Sequence, residues 1–450
     1  MDFNTLMLKI FEKCAGNSGC EVCRLHMEED CLFFPELYRL NDLARELKTP
    51  LSEMDLRPLI NLCTLCGICP CRDIKEILLQ AKAALVQMEK LPLSGRILCN
   101  AETVGRWGTR LSYALNTLNR LEPVQSIVKK TLKINPERNL PTFPKESFFL
   151  WAKKRGLTVP LKNNSRELSK VAYFAGCSAG YLFPEVGQAA VGILEKNGIS
   201  VFVPSQNCCG MPLMMEGDKK TALKRIRSNL ESLWESLQNG YDIVCSCPTC
   251  GYFFKKMLPE NAYYSDAFQK KSGTGSGVMK VPLGSGGNKF TTLPKSIYQT
   301  ILKDEGYFSS IDPLLRIDLS LNVKDMGEYL LSLQAKGKLR VKLKNPDIPM
   351  VYFAPCHQRE QDIGHPFFEI LKSLPGSDII RIGEVMECCG MGGHLGYKAG
   401  FHSHSLTIGR PVFDRLLKES HRTLITDCLS CRLQFRQVLP GKVFHPLEVL

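Results

Sequence analysis

Two parts of the chain show the same alternation of short apolar runs with longer segments of helical periodicity. Strands that alternate with helices of this length are typical of parallel α/β units. The strands are predicted at 170–176, 199–203 and 241–245, and again at 349–354, 378–382 and 422–426. The helices are predicted at 184–197 and 215–238, and again at 365–373 and 402–419. The chain is therefore predicted to contain two α/β domains of the same plan.

The remaining residues form helical regions around and between these domains. The first region is predicted to be α-helical, with clear periodicity over Tyr38–Leu47 and Asp73–Lys90. The connector has helical stretches at 101–120 and 122–134, and 295–345 is mostly helical. Glycine-rich residues 272–290 are predicted to be a mobile surface loop. The predicted limits are 1–90 for the helical domain, 91–168 for the connector, 169–270 and 346–450 for the α/β domains, and 271–345 for an insertion and linker.

One cysteine pattern occurs in both α/β domains. It consists of one cysteine, then Cys-Cys-Gly, then Cys-x-x-Cys, and corresponding cysteines are 179 to 181 positions apart. Each element follows a predicted strand, and open α/β sheets place their sites at the carboxyl ends of strands. The first set is Cys177, Cys208, Cys209, Cys247 and Cys250, and the second is Cys356, Cys388, Cys389, Cys428 and Cys431. The repeat predicts a duplicated thiolate cage for a soft metal or an iron–sulfur cluster.

A second group of cysteines lies in the N-terminal region. Eight thiols are two sets of four, which is the requirement of two cubane [4Fe–4S] clusters. The run that begins at Cys63 is ferredoxin-like, whereas the run that begins at Cys14 is irregular. The alternative is structural zinc held by Cys20 and Cys23 with Cys63 and Cys66, and spacing leaves open which cysteine serves which cluster. The eight are Cys14, Cys20, Cys23, Cys31, Cys63, Cys66, Cys69 and Cys71.

The amino-acid composition restricts the cellular compartment and the class of function that we expect for this protein. The chain has 20 cysteines in 450 residues, 44% hydrophobic and 23% charged residues, as expected of a soluble globular protein. No apolar run approaches the roughly 18 to 20 residues that span a bilayer, and Met1 to Cys14 lacks the plan of a secretory signal. We therefore expect a cytoplasmic protein, with a peripheral position at the inner face of the membrane left open. In a reducing compartment such cysteines are metal ligands rather than disulfides.

The formal charge of +13 comes from short basic runs such as Lys129-Lys130 and Lys153-Lys154-Arg155. A solvated surface is the favoured interpretation of these runs. A docking face for an acidic partner or for anionic lipid headgroups is the alternative. Nucleic-acid binding is not expected, because the sequence has no basic motif interleaved with aromatic residues.

Each five-cysteine set has one thiolate more than a cubane or a tetrahedral zinc ion requires. Two adjacent cysteines in one loop do not readily point into one small cubane. The sets therefore indicate an unusual cluster, or a cluster with an additional reactive thiolate. Gly210 and Gly390, after the paired cysteines, allow the backbone to approach the metal core closely.

These motifs carry a resemblance to a known family. The segments Phe174-Ala-Gly-Cys177, Cys208-Cys-Gly-Met-Pro-Leu213, Ala354-Pro-Cys-His357, Cys388-Cys-Gly-Met-Gly-Gly393 and Thr426-Asp-Cys-Leu-Ser-Cys431 resemble the CCG domain of heterodisulfide reductase subunits. A ferredoxin region followed by two such domains resembles the C subunits of anaerobic glycerol-3-phosphate dehydrogenases. The resemblance covers 170–450 and, more loosely, 14–82. The resemblance implies that up to two of the five-cysteine sets hold noncubane [4Fe–4S] clusters, which split a disulfide. Other subunits of the family only relay electrons.

Several further residues are expected to be structural. Cys99 is interpreted as a buried small apolar residue, and Cys245 as an additional thiol at a strand end. His357 and His394 are expected to donate hydrogen bonds near the clusters or to be ordinary loop residues, although either could deliver protons. The glycines of 390–396 do not follow a strand as a dinucleotide fingerprint requires, and no flavin or nucleotide motif is visible.

Two functions remain open at this point. The favoured one is an iron–sulfur electron-transfer subunit between a flavoprotein dehydrogenase and a quinone or membrane acceptor, with a membrane quinone-reactive subunit as a further partner. The alternative is a catalytic heterodisulfide or thiol–disulfide reductase that uses noncubane clusters in the CCG domains. A zinc-binding scaffold without redox activity is the least favoured.

Overall fold

The computed structural model describes residues 2–16, 19–20, 22–27, 31–69, 71–161, 169–273, 275, 277–283, 289–298, 303–384 and 386–450. Over these ranges, no helix combines the length and the apolar character needed to cross a bilayer.

The N-terminal region is helical, as predicted. Its helices are α1 (Phe3–Cys14), α2 (Val22–His26), α3 (Phe33–Leu47), α4 (Glu53–Leu56) and α5 (Arg72–Glu89), with a 3₁₀ turn at Pro58–Leu62. Asp2 caps α1 by accepting a hydrogen bond from the Thr5 N–H, and Ser52 starts α4 in a capping box. Helix α1 packs on α5, and this core continues without a break into the first α/β domain, where it includes Met214 and Phe254.

The connector consists of short surface helices. They are α6 (Leu93–Leu98), α7 (Ala101–Arg110), α8 (Ser112–Leu118), α9 (Glu122–Thr131) and α10 (Phe148–Lys154). Gly105 and Gly108 let α7 lie directly against Tyr181 and Phe143, where any Cβ would collide. Helix α9 buries none of its residues. The helical stretches predicted at 101–120 and 122–134 are confirmed, with a break near 111.

The first α/β domain follows the predicted order of elements. Its elements are β1 (Lys170–Phe174), a π-helical turn (Ser178–Leu182), α11 (Pro184–Lys196), β2 (Ser200–Phe202), α12 (Met211–Glu216), α13 (Lys219–Gln238), β3 (Asp242–Cys245), α14 (Pro248–Tyr252) and a second π-helical turn (Phe253–Met257). The single helix predicted at 215–238 is wrong at its start, because Gly217 has a φ of 85° and ends α12.

The segment between the domains contains a hairpin as well as helices. It comprises a 3₁₀ turn (Ala262–Tyr264), α15 (Asp266–Lys271), β4 (Val278–Pro282), β5 (Phe290–Pro294), α16 (Lys295–Tyr298), α17 (Pro313–Asn322), β6 (Val323–Asp325) and α18 (Met326–Ala335). Strands β4 and β5 pair antiparallel, from Val278 with Pro294 to Pro282 with Phe290. The prediction of a mobile loop at 272–290 is therefore wrong for β4, because its alternating apolar residues pair with β5 although glycines surround them. Residues 274, 276 and 284–288 of that prediction lie outside the described ranges.

The second α/β domain repeats the first. Its elements are β7 (Met350–Phe353), α19 (Cys356–Arg359), α20 (Pro366–Ser373), β8 (Ile379–Ile382), a 3₁₀ turn (Leu395–Tyr397), α21 (His402–Lys418), β9 (Thr423–Ile425), α22 (Leu429–Val438), β10 (Val443–Phe444) and α23 (Pro446–Val449). The strands and helices predicted for this domain are confirmed to within one or two residues.

The two sheets have the same topology, and all their strands are parallel. The strand orders are β2-β1-β3-β6 and β8-β7-β9-β10. The fourth strand of the first sheet thus comes from residues that the sequence analysis assigned to the insertion and linker. Asp325 ends β6 and His445 follows β10, and each starts a helix in a capping box. Tyr173 of β1 and Tyr352 of β7 lie in one shared core, so the two sheets pack together.

Candidate iron–sulfur sites

Four N-terminal cysteines lie close together, and we call this group site I. Cys14 ends α1, and Cys71 immediately precedes α5, so the packing of α1 on α5 brings them together. Burial, followed by the neighbouring Cys23, Cys71, Asp73 and Cys20, raises the pKa of the Cys14 thiol to about 12. Burial, then Cys71 and Cys20, raises the pKa of Cys23 to about 11. Site I is Cys14, Cys20, Cys23 and Cys71.

The other four form site II, which is more deeply buried. Burial, followed by the thiols of Cys66, Cys63 and Cys31, raises the pKa of Cys69 well above its usual value. A cavity of about 50 Å³ is lined by all four thiols of site II. The backbone bends around it with Gly67 at a φ of 92°, and a Cβ there would collide with the Tyr252 hydroxyl. Site II is Cys31, Cys63, Cys66 and Cys69.

The spacing of the cysteines along the chain did not determine which of them share a site. Each site takes three cysteines from one run and a fourth from the other, because Cys31 lies with the run of Cys63 and Cys71 lies with the run of Cys14. Ferredoxin runs exchange their fourth cysteine in the same way. The zinc alternative is not supported, since it combined cysteines that fall in different sites.

Site III is the five-cysteine set of the first α/β domain. Cys177 follows β1, Cys208 and Cys209 follow β2, and Cys247 and Cys250 follow β3, so the parallel strands deliver all five at one edge of the sheet. The Cys208 Sγ lies 3.4 Å from the Cys177 Sγ. Hydrogen bonds from Cys208 and Cys250 lower the pKa of the Cys209 thiol.

Site IV is the equivalent set of the second domain: Cys356, Cys388, Cys389, Cys428 and Cys431. The Cys389 Sγ lies 2.9 Å from the Cys431 Sγ. Hydrogen bonds from Cys356 and Cys389 lower the pKa of the Cys388 thiol well below its usual value. Gly390 donates its N–H to the Cys388 Sγ.

The donor sets fit iron–sulfur clusters by their chemistry. Sites III and IV each bring five sulfurs together out of solvent, with hydrogen bonds between thiols that favour deprotonation of some of them. Soft thiolates are the ligands that such clusters prefer. Within the described ranges, no group of three or more His, Cys, Asp or Glu side chains is arranged to hold a metal ion.

Sites II, III and IV meet at a buried aromatic pair. The His357 ring stacks on the Tyr252 ring at 4.8 Å between centroids and 5° between planes. His357 shares a hydrogen bond with the Thr249 hydroxyl of the site III loop at 2.9 Å, and the Leu65 carbonyl of the site II loop accepts another at 3.1 Å. Burial lowers the pKa of His357. The expectation that His357 forms hydrogen bonds near a cluster site is thus met by its contacts.

Electrostatic neighbours show how the sites follow one another. Cys388 of site IV is among the groups that raise the pKa of Cys66 of site II, after burial. Cys428 of site IV is likewise a neighbour of Cys247 of site III. Site IV is therefore a neighbour of both site II and site III.

A buried ion pair, missed from the sequence, joins the loops of sites III and IV. The Glu216 carboxylate lies 2.6 Å from the His394 Nε2 and 2.5 Å from the Lys398 Nζ. Burial alone would raise the pKa of Glu216, but the hydrogen bond and charge of His394, with Lys398, lower it to about 2. Gly217 also packs on the backbone of Lys82 in α5, so the pair ties the N-terminal helices to both CCG loops.

Two further acidic residues behind the sites were also missed. Glu102 of α7 accepts a hydrogen bond from the Cys208 N–H at 3.0 Å. Asp427, next to Cys428, is fully buried, and this burial raises its pKa to about 8. Cys99 is buried and donates to the Arg96 carbonyl, and Cys245 is buried at the end of β3 beside Asp325.

Comparisons with known proteins identify the two α/β domains and several relatives. The family model of the cysteine-rich domain CCG matches residues 171–255 and 350–436. The C subunit of the anaerobic glycerol-3-phosphate dehydrogenase of Escherichia coli K12 is 23% identical over 83% of this chain and 80% of its own length. The D subunit of the dihydromethanophenazine:CoB–CoM heterodisulfide reductase of Methanosarcina acetivorans is 23% identical over 76% of this chain and 72% of its own.

The B subunit of the fumarate reductase (CoM/CoB) of Methanothermobacter marburgensis is 25% identical over 63% of this chain and 46% of its own length. The named relatives are thus subunits of dehydrogenases and reductases. The chain therefore carries two copies of the cysteine-rich CCG domain and is homologous to the C subunit of anaerobic glycerol-3-phosphate dehydrogenase and to the D subunit of heterodisulfide reductase.

Proposed function

We propose that the chain is an iron–sulfur electron-transfer subunit that passes electrons between a flavoprotein dehydrogenase and a quinone or membrane acceptor. The observation that carries this proposal is the series of neighbouring cysteine sites. Cys69 of site II and Cys71 of site I are separated by one residue, and site IV is a neighbour of both site II and site III.

The ligand sets are part of the proposal. Sites I and II would hold two cubane [4Fe–4S] clusters in a ferredoxin-like helical domain, and sites III and IV would hold up to two noncubane clusters. Such clusters supply reversible one-electron redox centres when bound. The protein contributes burial, thiolate ligands and the backbone N–H of Gly390 beside Cys388.

The partners follow from the motifs of the sequence and from its relatives. The sequence has no flavin or nucleotide motif, so substrate oxidation is assigned to a partner flavoprotein. The relatives are named as subunits of larger enzymes, which supports assembly with such a partner. A peripheral position at the inner face of the membrane, beside a quinone-reactive subunit, is part of the same proposal.

A second candidate is a thiol–disulfide reductase of the heterodisulfide type. It is favoured by one observation, namely that both five-cysteine sets are complete and each brings its thiols together. Reduction of an organic disulfide by the isolated, dye-reduced chain separates the two candidates. Turnover in that assay supports the reductase, and its absence in a fully loaded protein supports the relay.

The test of the ligand sets is iron and acid-labile sulfide per chain on anaerobically purified protein, with EPR of oxidised and reduced forms. About sixteen irons are expected if all four sites hold four-iron clusters. Cys66→Ser should remove about four of them, whereas Cys99→Ser, at a buried cysteine outside the sites, should remove none. Zinc in place of iron, or equal loss in both variants, contradicts the proposal.

A further inference from the structure

Helices α7, α8 and α9 form a surface that exposes many large apolar side chains, and we call it the α7–α9 surface (residues 101–131). Single exposed apolar residues are ordinary, whereas eight of them within residues 101–131 are a concentration that favours an interaction site. Tyr113 is 87% exposed, Ile127 65% and Trp107 55%. The exposed set is Val104, Trp107, Leu111, Tyr113, Leu118, Leu121, Ile127 and Val128.

The same surface is strongly basic. Glu122 is the only acidic residue in the sequence between 103 and 133. The Arg110 guanidinium lies 5.5 Å from the Trp107 ring, so cationic and aromatic groups are interleaved. The basic residues of this stretch are Arg106, Arg110, Arg120, Lys129, Lys130 and Lys133.

A basic cleft of about 740 Å³ adjoins this surface. Its walls carry Arg106, Arg110, Lys145 and Lys153, and no Asp or Glu is among the described residues that line it. Glu102 pairs with Arg106 beside the cleft at 2.7 Å. The positive charge of the α7–α9 surface therefore extends into a cavity large enough for an anionic headgroup.

We propose that the α7–α9 surface and its cleft dock on an anionic lipid bilayer. Tyr and Trp with apolar neighbours suit the region between headgroups and acyl chains, and Lys and Arg beside them suit anionic headgroups. The centres of protein interfaces are enriched in Tyr, Trp and Arg but depleted in Lys, so the lysines Lys129, Lys130 and Lys133 favour lipid headgroups over a protein partner. Charge complementarity thus selects the bilayer as the occupant.

The inference rests on the proposed function and names the surface at which the subunit meets the membrane. Glu102 belongs to α7 and accepts the hydrogen bond of the Cys208 N–H in site III. Site III is therefore directly attached to the docking helices. Docking through these helices therefore holds site III close to the bilayer.

Flotation of the full, iron-loaded chain with vesicles tests this inference. Vesicles of phosphatidylcholine with about 30% phosphatidylglycerol should bind the protein, and phosphatidylcholine alone should bind it at least about tenfold less. Trp107→Ser/Tyr113→Ser/Ile127→Ser should lower binding to the anionic vesicles at least about tenfold. Lys129→Glu/Lys130→Glu/Lys133→Glu should also lower binding to the anionic vesicles at least about tenfold, and high salt should weaken wild-type binding.

The matched control replaces three equally exposed apolar residues of other surfaces, in Leu47→Ser/Met54→Ser/Leu417→Ser. It should keep binding within about twofold of wild type. Equal binding to both vesicles, no binding of wild type, or equal loss in the control overturns the docking inference.

Iron content of every sample is measured in parallel. Wild type that binds vesicles but lacks iron contradicts the ligand sets alone, and wild type that keeps its iron but does not bind vesicles contradicts the docking alone.

Discussion

Replacing Glu216 by Gln removes the charge from the ion pair that joins the loops of sites III and IV. The side chain of Glu216 is 6% exposed, and its partners His394 and Lys398 lie within 2.6 Å. Gln keeps the shape and a hydrogen-bond acceptor. The change therefore tests the charge and leaves the packing in place.

The lowered pKa of Glu216 gives the size of the stabilisation by this ion pair. It lies at about 2 instead of the usual 4.5, and each tenfold change in acidity corresponds to about 1.4 kcal/mol. The pairing thus stabilises the fold by about 3 kcal/mol at neutral pH. Because the folded pKa is below the unfolded one, this stabilisation is complete above about pH 4.5 and is lost as the pH falls towards 2.

Anaerobic urea unfolding, followed by tryptophan fluorescence, measures the effect. Glu216→Gln should lower the free energy of unfolding by about 3 kcal/mol, and the cycle with His394→Gln should show a coupling of at least about 1 kcal/mol. Glu36→Gln breaks the exposed pair of Glu36 with Arg39 and should cost less than about 0.5 kcal/mol. Equal costs in Glu216→Gln and Glu36→Gln would refute the reasoning.

Two further predictions concern a glycine and a buried cap. Gly390→Ala should reduce the iron bound at site IV and lower the melting temperature, because Gly390 has a φ of 76° and a Cβ would collide with the Ser405 carbonyl. The control is Gly400→Ala. Gly400 has open space around it, so this variant should change neither the iron content nor the melting temperature. Burial raises the pKa of Asp325 to about 6, so its ionisation costs stability as the pH rises above its usual pKa of 3.8. Asp325→Asn should gain about 1.4 kcal/mol relative to wild type between pH 5 and pH 8 in urea unfolding, and the exposed cap variant Asp312→Asn should show no such change.

The Cys-Cys-Gly repeat and the apolar periodicity could be read from the sequence because both are local patterns. The strands before Cys177 and Cys356 are continuous apolar runs, as parallel strands buried on both faces require. Strand β10, with two residues, and β6, between two helical segments, carry no such pattern. They form because the edge of each sheet offers them backbone hydrogen-bond partners.

The sequence by itself determined the two α/β domains, the strand ends that carry the cysteines and the chemistry of thiolate ligands. Only the tertiary structure decided that Cys31 and Cys71 exchange sites, that site IV is a neighbour of sites II and III, and that Glu216 meets His394. The physical reason is distance along the chain. Spacing and periodicity report contacts within one element or loop, whereas these contacts depend on how helices and sheets pack against one another.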